Sequence, residues 1–242
     1  ITGMGEYADH IIVFTEYSMH ELYGTSPVNF QLVDIEGEVG CISNRSIVKA
    51  NNRLYWMWHD GIYQYGGGTP LKISDPVQDY IKAINPDYVD KIVGGSIGDF
   101  LYMAIPYGNV NNNNLILKYD TRLEKWYVEE GNFRDFVSFE NALYGLDSTG
   151  FVWNMRRETV VHDNGVAIPW SLVSKPFTEN SLEGKKTITD MYLLADISTS
   201  STAFSIGFST NTLNNDSTTF TTLSTMAGSS NTQNTRIQVP YN

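Results

Sequence analysis

The feature that most constrains this chain is a repeat. The stretches "IIVFTEYSMHELYG" (11–24) and "LYWMWHDGIYQYGG" (54–67) align over fourteen positions without a gap: an apolar run, a short polar turn, a second apolar run and a glycine. A Leu-Tyr pair stands at 54–55 and recurs at 101–102 and 143–144, so the units begin at 11, 54, 101 and 143, spaced by 43, 47 and 42 residues. The longer third unit carries an Asn-rich insertion, "GNVNNNN" (108–114), between the strand-like runs "LYMAIP" and "LILKYD". Asparagine favours turns, and a hairpin tip absorbs added length at little entropic cost. A 42–47-residue period made of hairpins rather than helices is the pattern of a β-propeller. Blade sheets of that kind bury their faces only by stacking on neighbours.

Other strands of the units can be read around these hairpins. "SIVKA" (46–50), "KIVGGSI" (91–97) and "FRDFVSF" (133–139) precede units two to four, and "KWYVEE" (125–130) closes the third as an outer strand. Asp60-Gly61 reads as a type I′ hairpin turn. Two short helices are predicted near 74–92, bridging two blades on one rim. "SDPVQDYIKAI" has Ser74 as N-cap, Pro76 in the first turn, and Val77, Tyr80, Ile81 and Ile84 on one stripe. "NPDYVDKI" (85–92) repeats the Asn-cap and early-proline logic.

The repeat ends near Val161–Pro169, where "HDNGVAIPWSLVSKPF" changes character. "KKTITDMYLLADI" (185–197) and "TAFSIGFST" (202–210) read as strands of another β-domain, and Ser, Thr and Asn dominate 198–235. Such residues suit the exposed strands and loops of a sandwich, and the composition borders on low complexity. The expected organisation is all-β: propeller-like repeats over 1–163, about four blade units forming an incomplete set, then a β-sandwich-like C-terminal segment over 164–242. The first residue is Ile1 and the opening resembles the middle of a domain, so the chain reads as a piece of a longer one.

Composition narrows the function. A single cysteine, Cys41, excludes an intramolecular disulfide and a four-cysteine zinc site, and reads as a small buried apolar residue. The net charge is −11, and residues 1–163 hold 22 acids against 12 bases. A chain this acidic with no basic block is ill suited to grip nucleic acid. No apolar run has the length of a membrane-spanning helix.

The succession "IIVFTEYSMHELYGTSPVNFQL", "EGEVGCISNRSIVKANNRLYWMWHDGIYQYGGGTPLKISDPVQDYI" and "INPDYV" resembles a family of structural proteins of tailed bacteriophages. These are neck and tail β-propellers of the packaged-DNA stabilisation (tail hub) and nozzle types. The resemblance covers roughly 8–160 and lies in strands and turns rather than a catalytic fingerprint. It implies a non-enzymatic virion component, assembled in the host cytoplasm, that packs as a homo-oligomeric ring against other tail or neck proteins. The family's N-terminal blades are absent here.

A search for chemistry finds little. Asp9, Asp60, Asp99, Asp120 and Asp147 sit at strand ends, where aspartate commonly organises turns. "LDSTGFVW" (146–153) departs from the Asp-box spacing of sialidase-like propellers. His10, His20, His59 and His162 form no metal-ligand pair at helical spacing, and no phosphate loop, dinucleotide fingerprint or nucleophile elbow occurs. No cofactor is expected. The candidate binding residues are Trp56 and Trp58, which share one strand face. They serve as filler between blades, as an aromatic platform for glycans or as part of a protein interface.

Two functions follow as expectations. The first is structural, in a phage tail or neck, with an acidic lining that repels DNA phosphates and lets a genome slide through without specific binding. The alternative is a glycan-binding or glycan-cleaving propeller used in host-surface adsorption, which needs exposed aromatics and two converging carboxylates.

Overall fold

A computed structural model describes residues 1–155 in full, together with the backbone of short strands between 162 and 238. The chain divides into two compact units, Ile1–Ala167 and Ile168–Asn242. The first unit is built of antiparallel sheets and is all-β apart from short helical segments.

Four sheets follow one another along the chain. The first contains β1 (Gly3–Tyr7), β2 (His10–Phe14), β3 (Met19–Tyr23) and β4 (Gln31–Asp34). The second contains β5 (Val48–Ala50), β6 (Arg53–Trp58), β7 (Gly61–Tyr65) and β8 (Leu71–Lys72). The third contains β9 (Val93–Ile97), β10 (Phe100–Ile105), β11 (Leu115–Asp120) and β12 (Lys125–Glu130), and the fourth β13 (Phe133–Phe139), β14 (Ala142–Asp147) and β15 (Val152–Asn154). Each is a simple meander with strands in chain order. The first strands touch in succession, β1 on β5, β5 on β9 and β9 on β13.

Packing explains why the apolar residues of the middle sheets run without alternation. Ile12 and Phe14 on one sheet meet Leu54 and Trp56 on the next. Tyr55 meets Leu101 and Tyr119, and Met57 meets Met103 and Leu117. Tyr102 and Ala104 meet Leu143 and Phe133. Each middle sheet is therefore apolar on both faces, so "LYWMW" is bulky at every position. Residues that face neighbours on both sides of a sheet lose the half-polar alternation of a one-sided strand.

The hairpins joining first and second strands all have two-residue turns whose first residue is at positive φ. Ala8, Asn51, Gly98 and Glu140 occupy that first position with φ of 50°, 46°, 54° and 47°, and Asn52 and Asn141 follow at 58° and 60°. Positive φ at both central residues, seen at Asn51-Asn52 and Glu140-Asn141, is the type I′ turn, which matches the twist of a hairpin. The expected type I′ turn at Asp60-Gly61 is not present. Trp58 pairs with Gly61, so the turn residues are His59 and Asp60, neither at positive φ. Gly61 is the first residue of β7, and a Cβ there would run into Ser74 Oγ. Its role is close approach rather than turn geometry.

The helical segments lie where the sequence places them, and one of the two expected side-chain caps forms. A 3₁₀ turn, Asp75–Val77, leads into α1 (Gln78–Lys82), and Pro86–Lys91 forms further 3₁₀ turns. Ser74 makes no side-chain cap; its Oγ instead accepts the Ile62 N–H at 2.9 Å. Asn85 does cap, its side chain accepting the Asp87 N–H at 3.1 Å. Val77 and Ile81 are buried against Met57, Ile62, Met103 and Leu117, so the segment seals the seam between the second and third sheets. The Asn-rich insertion is pinned rather than loose. Buried Asn113 donates to the carbonyls of Lys91 (2.7 Å) and Phe133 (2.8 Å), and Asn114 bonds the backbone of Tyr107 in both directions.

In the second unit, strand Asp190–Ala195 pairs with Gln233–Gln238, and Ala203–Phe208 with Thr221–Ala227, all antiparallel. His162 lies in a two-residue strand whose side chains are outside the described residues.

Candidate functional site

Trp56 and Trp58 share a strand face but reach different places. Trp56 is fully enclosed between the first two sheets, with Phe14 at 5.0 Å and Tyr63 at 6.1 Å between ring centroids. Its indole N–H donates to the Gly40 carbonyl at 2.7 Å, which satisfies the one polar atom of a buried indole. No ligand can touch it. Trp58 lies at the end of β6, partly exposed, edge-on to Tyr63 at 5.8 Å, and its N–H donates to the Glu16 carbonyl at 2.8 Å.

Trp58 lines an open cleft of about 580 Å³ with Tyr17, Glu38 and His59. Tyr17 comes from the β2–β3 turn, His59 from the β6–β7 turn, and Glu38 from the connection between the sheets. Tyr17 is 59% exposed and stacks on His59 with centroids 5.5 Å apart and planes 20° apart. His59 Nε2 lies 3.4 Å from Glu16 Oε1. Glu16 also raises the Tyr17 hydroxyl pKa, first by hydrogen bonding and then by its charge. The connection is held against the β2–β3 turn: Cys41 N–H donates to the Thr15 carbonyl at 2.9 Å, and Gly40 lies so close to the carbonyls of Thr15 and Glu16 that a Cβ has no room. Such a cleft offers flat aromatic surface with acidic acceptors at its edge. Among the described residues, no group of histidine, cysteine and carboxylate ligands could hold a metal.

Three residues of the first sheet form a hydrogen-bonded relay. His20 Nδ1 lies 2.6 Å from Asp34 Oδ1, and His20 Nε2 lies 2.9 Å from Ser18 Oγ. The arrangement has the order of a nucleophile, a base and an orienting carboxylate. It lacks oxyanion donors where they are needed. The N–H groups of Tyr17 and Ser18 both donate to Thr15 Oγ1, at 3.3 and 3.0 Å, and that hydroxyl lies 2.7 Å from Ser18 Oγ. The set closes the β2–β3 turn. The sequence offers His20 no metal-ligand pair at helical spacing; the register His20↔Asp34, invisible in the sequence, supplies a carboxylate partner.

Other charged groups among the described residues organise turns and join strands. His10 Nε2 and the Tyr65 and Tyr23 hydroxyls converge on Glu21 at 3.2, 2.6 and 2.7 Å. Burial works against the Glu21 charge, but these partners outweigh it and hold its pKa below the usual value. Asp120 Oδ1 accepts the N–H groups of Arg122 and Leu123 at 2.9 Å. Asp147 accepts from Trp153 Nε1 and from Thr149 and Phe151 N–H, organising the turn that "LDSTGFVW" forms. Glu6, Asp9, Glu21 and Asp147 are all shifted downward by their hydrogen-bond partners.

No family model matches the chain, and no curated protein matches it. Among solved structures, the crystal structure of the computationally designed Ika4 protein aligns with 64% of this chain and 91% of that chain, at 11% identity and a TM-score of 0.40. A likeness that loose carries no argument about function.

Proposed function

We propose that the chain is a non-enzymatic structural component of a bacteriophage tail or neck. In this reading its sheets are the blades of an incomplete propeller, followed by a β-sandwich-like C-terminal unit. The observation that carries it is the succession of meander sheets whose first strands touch in order while their faces bury aromatics between them. Blades stacked around an axis would give such a succession, which supports the reading. Its work is assembly, through rim loops and sheet faces that contact other tail or neck proteins. The first strands carry Glu6 and Asp135 against Lys49 and Arg134, so their charge balances and an acidic, DNA-repelling lining gains no support from them. The test is co-expression with the proteins encoded beside it, followed by affinity purification and electron microscopy. A ring docked on portal or tail proteins is the expected result. Recovery of the chain alone, with none of them, counts against the virion role.

The cleft of Tyr17, Glu38, Trp58 and His59 favours the second reading, glycan binding during adsorption. A glycan array read alongside Trp58→Ala decides it: hits lost in the variant support this reading, and an array without hits removes it.

A further inference from the structure

The repeat lets each face of each sheet be compared with its equivalents. Ile11, Leu54, Leu101 and Leu143 occupy one position in the four sheets, spaced by 43, 47 and 42 residues. The last three are buried at 1%, 0% and 0%, each covered by the preceding sheet, whereas Ile11 is 42% exposed. On the same face of the first sheet Met4 and Leu32 are also exposed, as the registers Met4↔Val13, Ile11↔Leu22 and Leu22↔Leu32 place them together. The opposite end mirrors this. Phe14, Met57 and Ala104 are each 0% exposed beneath the following sheet, while their equivalent Leu146 is 40% exposed. Val137, Phe139 and Val152 flank it on that face of the fourth sheet, all exposed.

Stacked-repeat proteins close their ends with polar capping faces, because a bare apolar end face recruits another surface. Among the described residues no further sheet covers either end face; the apolar residues share the first face with Glu6, His20 and Asp34 and the second with Asp135 and Asn154. The two faces are, moreover, the two halves of one junction that the chain already makes three times: the Leu143 side packs under Tyr102 and Ala104, the Leu54 side under Ile12 and Phe14. We propose that the Ile11 face of one copy docks on the Leu146 face of a second copy, head to tail, reproducing the internal sheet-to-sheet junction. A heterologous contact of this kind closes a ring or continues as a filament, according to the rotation per junction. The proposal rests on the stacked-blade reading above and not on the virion role. Absence from virions removes that role and leaves this interface standing.

The test is sedimentation of the full chain at rising concentration, with Ile11→Asp and Leu146→Asp. Both positions are exposed, so circular dichroism and the urea midpoint are expected to stay unchanged. Met4→Glu and Val152→Glu form a second pair should either first variant unfold. The unaltered chain is expected to associate and each variant alone to remain monomeric. An equal mixture of the two variants is expected to form one-to-one dimers, because one intact face of each kind is then present. That rescue distinguishes head-to-tail docking from a like-with-like contact. A monomer throughout, association indifferent to both variants, or monomers in which hydroxyl radicals fail to label Met4 and Leu146 because another stretch of polypeptide covers them would each overturn the proposal.

Discussion

Ser96 Oγ donates to the Lys49 carbonyl at 3.0 Å, joining the first strand of the third sheet to the first strand of the second. Ser138 Oγ donates to the Ser96 carbonyl at the same distance, and Lys49 Nζ lies 2.8 Å from Glu6 Oε1. Glu6, Lys49, Ser96 and Ser138 are spaced by 43, 47 and 42 residues, the spacing of the repeat itself. Equivalent positions on successive first strands thus touch one another, and the belt they form ties four sheets into one stack. Exposed bonds of this kind contribute little singly, so the close fit of the strands must supply most of the stability.

That fit depends on glycines in β9. A Cβ on Gly95 would lie 2.6 Å from Phe136 Cβ, and one on Gly94 would collide with Val48 Cγ2. Gly95→Ala is expected to destabilise the fold by about 1–3 kcal/mol, the usual cost of overpacking. Urea denaturation checks this; an unchanged midpoint would show that the sheets separate without strain.

The two tryptophans are expected to part company under mutation. Trp56→Ala removes a fully buried indole and should cost about 3–5 kcal/mol. Trp56→Phe keeps most of the packing but strips the Gly40 carbonyl of its donor, at about 1–3 kcal/mol. Trp58→Ala, at a partly exposed site, should cost less than Trp56→Ala. Equal losses at 56 and 58 in thermal or urea unfolding would contradict the placement.

The period, the strands and the face-sharing of Trp56 and Trp58 were legible because each is local to one hairpin. The caps and turns were less so. Ser74 has the residue type of an N-cap, yet its hydroxyl is taken by Ile62 from a neighbouring strand. Asn51-Asn52 carried a positive-φ signal as strong as Asp60-Gly61, and its type I′ turn recurs at Glu140-Asn141. The cleft was half legible. Trp58 was visible as an aromatic, but Tyr17 and Glu38 come from another sheet and its connection, and only sheet stacking sets them beside His59. Distance along the chain hides such neighbours.

Cys41 is fully buried, and burial pushes its thiol pKa up to about 11 against the lowering effect of hydrogen bonds to Ser43 and Ser46. The thiolate is the reactive form. A thiol-specific reagent at neutral pH is therefore expected to leave the folded chain unmodified and to label it fully in urea. Rapid labelling of the native protein would place Cys41 at a surface.

Asp147 provides the pH prediction. Its carboxylate is held at about 2, below its ordinary value of 3.8, first by the Trp153 indole N–H and then by the Thr149 hydroxyl and the Phe151 and Thr149 amides. A depressed folded-state pKa means that the charged form is favoured in the fold. The stabilisation is present above the unfolded value near 3.8 and is lost as pH falls through that value toward 2. Asp147→Asn keeps an acceptor for the turn amides but sets an NH₂ group among the donors where the second carboxylate oxygen stood. The variant should be less stable than the parent at neutral pH, and the difference should shrink from pH 4 toward pH 2, the interval spanned by the two pKa values. Urea midpoints measured across that interval check it, and a difference that stays constant would show that the Asp147 charge plays no part in holding the β14–β15 turn.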